Sequence, residues 1–204
     1  MWVRVPPSAL PEARCDMPWL IIVLGYFVGS IPTAYIAGLI LRGVDIRQVG
    51  DENMGAANAF RQLSPKAGVA VGIIDAGKGS LAILIAQATN MPQAAILAAG
   101  AATVIGHNWP VFIGFRGGRG VSTTIGVLLT SVTQPMLIAA MPAVIVLIVK
   151  RNVSLACAFL FIPLPLACWL LGVSGSLIVY SIALPCLIGL THLLRTRQSV
   201  ARHA

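Results

Sequence analysis

The chain has 204 residues, of which 57% are hydrophobic and 10% charged, and its mean hydropathy is +0.88. Because soluble domains carry about 25% charged residues, this composition excludes a soluble enzyme, a disordered protein and a fibrous protein. The net charge of +8 comes from basic residues in short loops between apolar runs, which indicates a defined membrane orientation and an anionic substrate. Aromatic residues make up 6% of the chain, which is too few for a nucleic-acid-binding surface. The sequence therefore predicts an all-α integral membrane protein.

The apolar runs predict the membrane spans in chain order. Residues 1–17 form a short extracytoplasmic segment, and the uncharged run over 18–41 is long enough to cross about 30 Å of hydrocarbon, with a kink predicted at Pro32. A polar loop follows at 42–66. The later segments are apolar runs at 67–89 and 91–106, a Gly-rich loop at 107–120, uncharged stretches at 121–149 and 152–194, and a basic cytoplasmic tail at 195–204. We expect one domain over residues 1–204, since neither a repeat nor a domain boundary is visible.

The distribution of bases decides the number of spans. If the stretch 121–149 breaks between Ser131 and Pro135, the chain crosses the membrane about seven times. Two bases, Arg4 and Arg14, then lie on the N-terminal side, and eleven lie on the other. The positive-inside rule therefore predicts seven helices with the motif-bearing loops and the C-terminus in the cytoplasm.

The first polar loop concentrates residues that suit a polar ligand. It offers the carboxylate of Asp51, the amides of Asn53 and Asn58, the flexible Gly55 and the guanidinium of Arg61. Arginine can hold a phosphate in bidentate fashion, and asparagine can donate and accept hydrogen bonds at once. A solvated loop with helix caps at Asn53 or Asn58 is an equally good interpretation of the composition alone.

The second polar loop contains Arg116, Gly117, Gly118, Arg119 and Gly120, directly before an apolar helix. Glycines before a helix expose backbone N–H groups, and the helix N-terminus adds positive potential, so the pattern favours a phosphate cradle. An arginine pair that anchors lipid headgroups is the alternative.

A few polar residues stand apart from these patterns. Asp75 and Lys78 share a helix face inside a span, either as a structural ion pair or as the lining of a polar site. His107 is either a proton carrier or a hydrogen-bonded interfacial histidine. Ser154 follows a basic turn, where a helix cap is its default role and a substrate contact the alternative, and His192 ends the last span.

These loops resemble the acyl-phosphate-dependent glycerol-3-phosphate acyltransferases, the PlsY family. The family's first motif, approximately S-G-N-P-G-A-T-N-x-x-R, corresponds to residues 51–61. Its second, approximately G-H-x-F-P-V-F-x-G-F-K-G-G-K-G-V-A-T, corresponds to residues 106–123, with Arg116 and Arg119 at the two lysines. Further similar segments are Gly29–Tyr35, Asp75–Gly79 and Asn152–Leu155.

The resemblance implies transfer of a fatty acyl group from acyl phosphate to the 1-hydroxyl of glycerol 3-phosphate, giving lysophosphatidic acid in the bacterial inner membrane, with no cofactor and no metal. It implies catalytic roles for Asp51, Arg61, Arg119 and His192. The implied substrate-binding residues are Asn53, Gly55, Asn58, His107, Arg116, Gly117, Gly118, Gly120 and Ser154. Partners are then the two substrates and membrane lipids.

This chain departs from the family pattern at a few positions. A family serine is Asp51 here, a threonine is Ala57, and the C-terminal H-x-x-N ends in Arg195. Asp51 would repel a phosphate unless it is protonated, paired with an arginine or working as a base. An inactive member of the family is therefore kept as an alternative. A small anion or organophosphate transporter, which would use the same basic loops, is another.

Overall fold

The structure, a computed structural model, describes residues 17–203, with side chains described over 17–195. The chain is helical throughout this part. The helices are α1 (Pro18–Ser30), α2 (Thr33–Arg42), α3 (Ala56–Gln62), α4 (Pro65–Ala88), α5 (Gln93–Asn108), α6 (Val121–Ser131), α7 (Thr133–Lys150), α8 (Val153–Phe161), α9 (Leu164–Leu170) and α10 (Gly175–His203), with short 3-10 turns at Ile46–Gln48 and Val111–Ile113. The predicted extracytoplasmic segment lies almost entirely outside the described residues.

Large apolar side chains cover the outside of the helices. Ile40, Ile148 and Ile162 are 76%, 70% and 77% exposed, whereas Asp75, Lys78 and His107 are buried inside. A water-soluble protein has the opposite distribution, so the outer surface suits lipid. The prediction of an all-α integral membrane protein is confirmed.

Within residues 17–203, six helical stretches are long and apolar enough to cross a membrane. They are Pro18–Arg42, Pro65–Ala88, Gln93–Ile113, Thr133–Lys150, Val153–Leu170 and Gly175–Arg195. The break predicted in the stretch 121–149 is present, because Val132 separates α6 from α7. Helix α6 is apolar but has 11 residues, only about half of the length needed to span alone, so the number of seven spans stays a prediction.

Glycines allow neighbouring helices to approach closely. A Cβ at Gly29 of α1 would meet the backbone carbonyl of Thr103 on α5, and one at Gly106 of α5 would meet the carbonyl of Tyr26. A Cβ at Gly126 of α6 would likewise meet the carbonyl of Ala76 on α4. Small residues at helix contacts are typical of membrane bundles, where van der Waals packing replaces the hydrophobic effect.

The predicted kink at Pro32 is a complete break between α1 and α2. Proline has no backbone N–H and ends the hydrogen-bond ladder. Lys78 of α4 fills this gap, because its Nζ donates to the carbonyls of Ile31 at 2.8 Å and Gly29 at 3.3 Å. Lys78 also forms an ion pair with Asp75 at 2.8 Å. The two intramembrane charges thus hold the break in place, which is the structural role that the sequence left open.

Candidate active site

The first loop is built around the side chain of Asn58. The residue is fully buried in α3, and its Nδ2 donates to the carbonyls of Ile46, Val49 and Asn53 at 3.2, 3.0 and 3.1 Å. Its Oδ1 accepts a hydrogen bond from the N–H of Asp51 at 3.3 Å. Asn58 therefore folds the loop back onto its helix and, in this structure, uses its amide on the backbone.

Neither asparagine of this loop caps a helix. Helix α3 begins after Gly55, which makes no side-chain cap, and Asn58 lies inside α3. The interpretation of the loop as a solvated segment with asparagine caps is therefore wrong. Asn53 is buried, and its Oδ1 has no hydrogen-bond partner among the described residues, so this oxygen is free for a ligand donor.

Asp51 and Arg61 form an ion pair at the exposed side of the loop. Their carboxylate and guanidinium lie 2.8 Å apart, and their side chains are 34% and 51% exposed. Arg61 thus offsets the charge of Asp51, which is one of the conditions under which the sequence allows an aspartate near a phosphate. The binding of two phosphates, one by Arg61 and one by Arg119, remains a prediction.

The second loop folds back onto the end of α5. The N–H groups of Gly117 and Gly118 donate to the carbonyls of Asn108 and His107 at 3.2 and 3.0 Å. These two donors are thus used inside the loop, which differs from their expected role as phosphate ligands. At Gly120 the backbone has φ of +84°, a conformation that favours glycine, and α6 starts at the next residue without a side-chain cap in the described chain.

Two contacts bring the loops together. Arg47 of the first loop donates through Nη1 to the carbonyl of Ile113 at 2.9 Å, and its guanidinium lies 4.8 Å from the ring centroid of Tyr35. A Cβ at Gly118 would lie 2.8 Å from the carbonyl of Met54, so the two loop backbones touch. The two basic loops, which the sequence predicts on one side of the membrane, are therefore in contact.

Arg47 is itself held by Asp45. The two side chains share hydrogen bonds and lie 2.8 Å apart, with Arg47 Nε also donating to the carboxylate. The Arg47 hydrogen bond holds the pKa of Asp45 below its ordinary value, and the same bond raises the pKa of Arg47. The pair therefore stays ionised at neutral pH and holds the Arg47 guanidinium in position to donate to the carbonyl of Ile113.

His107 lies beneath the second loop. It is buried, its Nδ1 lies 3.7 Å from Asp75, and its ring edge at Nε2 is directly against Gly118. The imidazole is thus enclosed between the carboxylate of Asp75 and the backbone of Gly118. The geometry favours the interpretation of His107 as a support for the loop over that of a proton carrier.

Three arginines gather at this end of the molecule. Arg195, near the predicted end of the last span, feels the charges of both Arg116 and Arg119. Arg195 Nη2 donates to the carbonyl of Asn108 at 2.7 Å, and the side chain of Asn108 donates to Thr191 of α10 at 3.1 Å. Asn108 thus attaches the C-terminal helix to the second loop.

The other two predicted site residues lie on exposed helix ends. His192 is exposed on α10, three residues before Arg195 and hence on a similar helix face. Ser154 is exposed in the first turn of α8. The cap of α8 is Asn152, whose Oδ1 accepts from the N–H of Leu155 at 3.0 Å, so the default role given to Ser154 is wrong.

Sequence reasoning missed three residues that shape the site. Arg47, Asn108 and Arg195 each make a contact that joins distant parts of the chain. Arg195 could have been found from the sequence, because it stands where the resembled family has asparagine. Arg47 and Asn108 carried no signal beyond lying in the polar loops.

Comparison with known proteins agrees with this arrangement. The family model described as glycerol-3-phosphate acyltransferase matches residues 19–203. The chain belongs to the glycerol-3-phosphate acyltransferase family. One relative, glycerol-3-phosphate acyltransferase 4 of Dehalococcoides mccartyi, is 47% identical over 183 residues, which cover 90% of this chain and 99% of the relative. Another, the glycerol-3-phosphate acyltransferase of Desulforudis audaxviator, is 38% identical over 81% of this chain and 83% of its own length.

Solved structures of the family have the same fold. A crystal structure of PlsY, an integral membrane glycerol 3-phosphate acyltransferase, in its glycerol 3-phosphate form matches with a TM-score of 0.77 and 32% identity over 92% of each chain. Its lysophosphatidic acid form matches with a TM-score of 0.74 and 30% identity, over 92% of this chain and 91% of that one. The suspected family membership is thereby confirmed.

Proposed function

We propose that this membrane acyltransferase moves a fatty acyl group from acyl phosphate to the 1-hydroxyl of glycerol 3-phosphate where its two basic loops meet. Membership of the glycerol-3-phosphate acyltransferase family supports the reaction class and the acceptor. The observation that carries the proposal is the joining of the loops through Arg47 and Ile113 and through Met54 and Gly118. The joined loops gather guanidinium groups beside apolar helices, as two anionic substrates with a lipid tail require.

The reaction needs positioning and charge rather than a covalent intermediate. The 1-hydroxyl oxygen attacks the acyl carbonyl carbon, the new ester bond forms, and the bond from that carbon to the phosphate oxygen breaks. Inorganic phosphate leaves with its bonding electron pair, and the hydroxyl proton passes to a base. Because acyl phosphate is already an activated mixed anhydride, oriented cations that offset the developing charge are sufficient.

The described side chains divide into ligands and supports. Arg116 and Arg119 would hold one phosphate, and Arg61 with Asn53 the other. His192 or Asp51 would accept the proton, or a substrate phosphate would, while Ser154 would contact a hydroxyl. The supports are Gly55, Asn58, His107, Gly117, Gly118 and Gly120, whose described contacts are with the protein itself.

The loops and the C-terminus would face the cytoplasm of a bacterial inner membrane. The support is the charge asymmetry of the chain, with most Lys and Arg on the side of the two loops. Glycerol 3-phosphate is a small soluble anion that would reach the site from water, and the acyl donor would arrive through the lipid-facing helices.

Product formation in detergent micelles tests the proposal. The purified protein is given glycerol 3-phosphate with acyl phosphate, or with an acyl thioester as alternative donor, and lysophosphatidic acid and inorganic phosphate are measured. We expect both products in equal amounts from acyl phosphate only. A transporter would form neither, and product from the thioester alone would overturn the assignment of the donor.

A matched pair of variants connects the activity to the site. Arg119→Ala should lose about 100-fold or more in rate, because an oriented charge contact is removed. Lys66→Ala changes an exposed base at the start of α4 and should retain the rate. Equal activity of both variants would contradict the role of the second loop.

A further inference from the structure

Arg119 and Arg195 form an unusual pair of like charges. Arg195 lies close enough to Arg119 to feel its charge, and Arg116 adds a third cation. Within residues 17–195, neither Arg119 nor Arg195 forms an ion pair with a carboxylate. Like charges held together without a counter-charge repel one another, so an anion that joins them would stabilise the arrangement.

The unpaired donors of the two guanidinium groups point to the same conclusion. The Nε atoms of Arg119 and Arg195 are both buried and have no hydrogen-bond partner among the described residues. A buried donor on a charged group is costly to leave unpaired. An anion beside the two guanidinium groups would offset this cost.

Arg195 is held in position from the protein side. Its Nη2 donates to the carbonyl of Asn108 at 2.7 Å, and this carbonyl also accepts the N–H of Gly117 at 3.2 Å. The guanidinium is therefore fixed to the second loop, while its other donors remain for a ligand. A preorganised fork binds a planar pair of anionic oxygens with less loss of side-chain freedom.

We propose that Arg195 is a substrate-binding residue, which with Arg119 binds a phosphate group. The proposal rests on the proposed function and deepens it. The phosphate is that of glycerol 3-phosphate or that of the acyl donor. Asparagine, which the resembled family has at this position, carries no charge. The second cation therefore departs from the family pattern and should strengthen the hold of this site on a dianion.

Direct binding of inorganic phosphate to the full-length protein in micelles tests the site without turnover. The variant Arg195→Gln keeps a donor for the Asn108 carbonyl but removes the charge, and Arg195→Lys keeps the charge without the fork. We expect the dissociation constant, measured by calorimetry, to rise about 10- to 100-fold in Arg195→Gln and less in Arg195→Lys. Unchanged phosphate affinity in both variants would overturn the proposal.

A matched control is available at Arg42. Its Nη2 also donates to a single backbone carbonyl, that of Leu63 at 2.9 Å, and the residue is exposed. Arg42→Gln should leave phosphate binding unchanged. An equal loss in Arg42→Gln and Arg195→Gln would show a general effect of net charge and would contradict the site.

Kinetics distinguish the two sources of the phosphate. A higher KM for glycerol 3-phosphate alone in Arg195→Gln assigns the group to the acceptor, and a higher KM for acyl phosphate alone assigns it to the donor. An unchanged KM for both substrates would overturn the role in substrate binding. The wild-type protein could bind phosphate through Arg195 and still make no lysophosphatidic acid. That result would refute the proposed function and leave this site intact.

Discussion

The carboxamide of Asn58 lies fully buried, and its hydrogen bonds to three backbone carbonyls hold the first loop in shape. Asn58→Ala would remove these hydrogen bonds, so the free energy of unfolding should fall by roughly 1–3 kcal/mol. Activity should fall about 100-fold, because Asp51 and Arg61 would lose their placement. Thermal unfolding and product formation in micelles measure the two effects.

The control for this prediction is Gln48→Ala in the same loop. Gln48 is exposed, so its removal should change neither quantity noticeably. If Asn58→Ala were as stable and as active as Gln48→Ala, the amide would not be the organising group of the loop.

Arg61 combines an exposed ion pair with a predicted role in catalysis, and the two contributions can be separated. Exposed ion pairs stabilise proteins little, so Arg61→Ala should change the free energy of unfolding by less than about 1 kcal/mol. If Arg61 holds a phosphate, the same variant should lose about 100-fold in rate. Loss of stability and rate in parallel would instead indicate a structural role.

Asp51→Asn completes this test at the residue scale. It removes the carboxylate 2.8 Å from Arg61 but keeps the size of the side chain. A small change in rate would exclude Asp51 as the proton acceptor. A loss comparable to that of Arg61→Ala fits either proton transfer or placement of Arg61, and the pH dependence of the rate separates the two roles.

At the scale of elements, the close contact of the two loops depends on Gly118. A Cβ at this position would collide with the imidazole of His107 and lie 2.8 Å from the carbonyl of Met54. Gly118→Ala must therefore push the loops apart, at a cost of about 1–3 kcal/mol in unfolding free energy. We expect activity to fall about 100-fold, since small displacements of reacting groups are costly.

Gly77 provides the matched control on α4. A Cβ at Gly77 meets no atom of the described residues within 4 Å, and alanine favours a helix by up to about 1 kcal/mol. Gly77→Ala should be at least as stable as the wild type and fully active. Similar losses in the two variants would show that any added methyl group harms the bundle, and would contradict a specific contact at Gly118.

The sequence predicted most of the helical elements, because a helix that crosses lipid requires a long apolar run, which is recognisable in the sequence. The break near Val132 and the interruption at Pro32 followed from turn-forming residues and from proline. Helix α3 inside the polar loop was not expected, since its seven residues are too short to show a pattern against the loop. The division of the stretch 152–194 into α8, α9 and α10 was also not foreseen in detail.

The candidate site was predictable in its residue types but not in its contacts. Basic and glycine residues marked both loops, yet the bond from Arg195 to Asn108 joins positions 87 residues apart. The hydrogen bonds from the N–H groups of Gly117 and Gly118 to the end of α5 could not be predicted, for a different reason. A glycine pattern shows that the backbone is free to turn, but tertiary packing decides to which acceptor its donors point.

At the scale of the whole molecule, the orientation in the membrane follows from charge. Bases near span ends favour the cytoplasmic side, and here they accompany both motif loops and the C-terminus. A reporter fused after Arg202 should therefore be active in the cytoplasm, and one placed in the turn at Gly172, between α9 and α10, should be exposed on the opposite side.

The turn at Gly172 makes this a test of whether α10 crosses the membrane, as well as of orientation. With α10 crossing the membrane once, the two reporters must lie on opposite sides, whatever the direction of the first span. Reporters on the same side would show that α10 does not cross the membrane. A reporter after Arg202 outside the cell and one at Gly172 inside would reverse the orientation and place the arginine cluster away from cytoplasmic glycerol 3-phosphate. Replacing Lys150 and Arg151 together by glutamine should not reverse the pair, because the remaining bases still favour the same side.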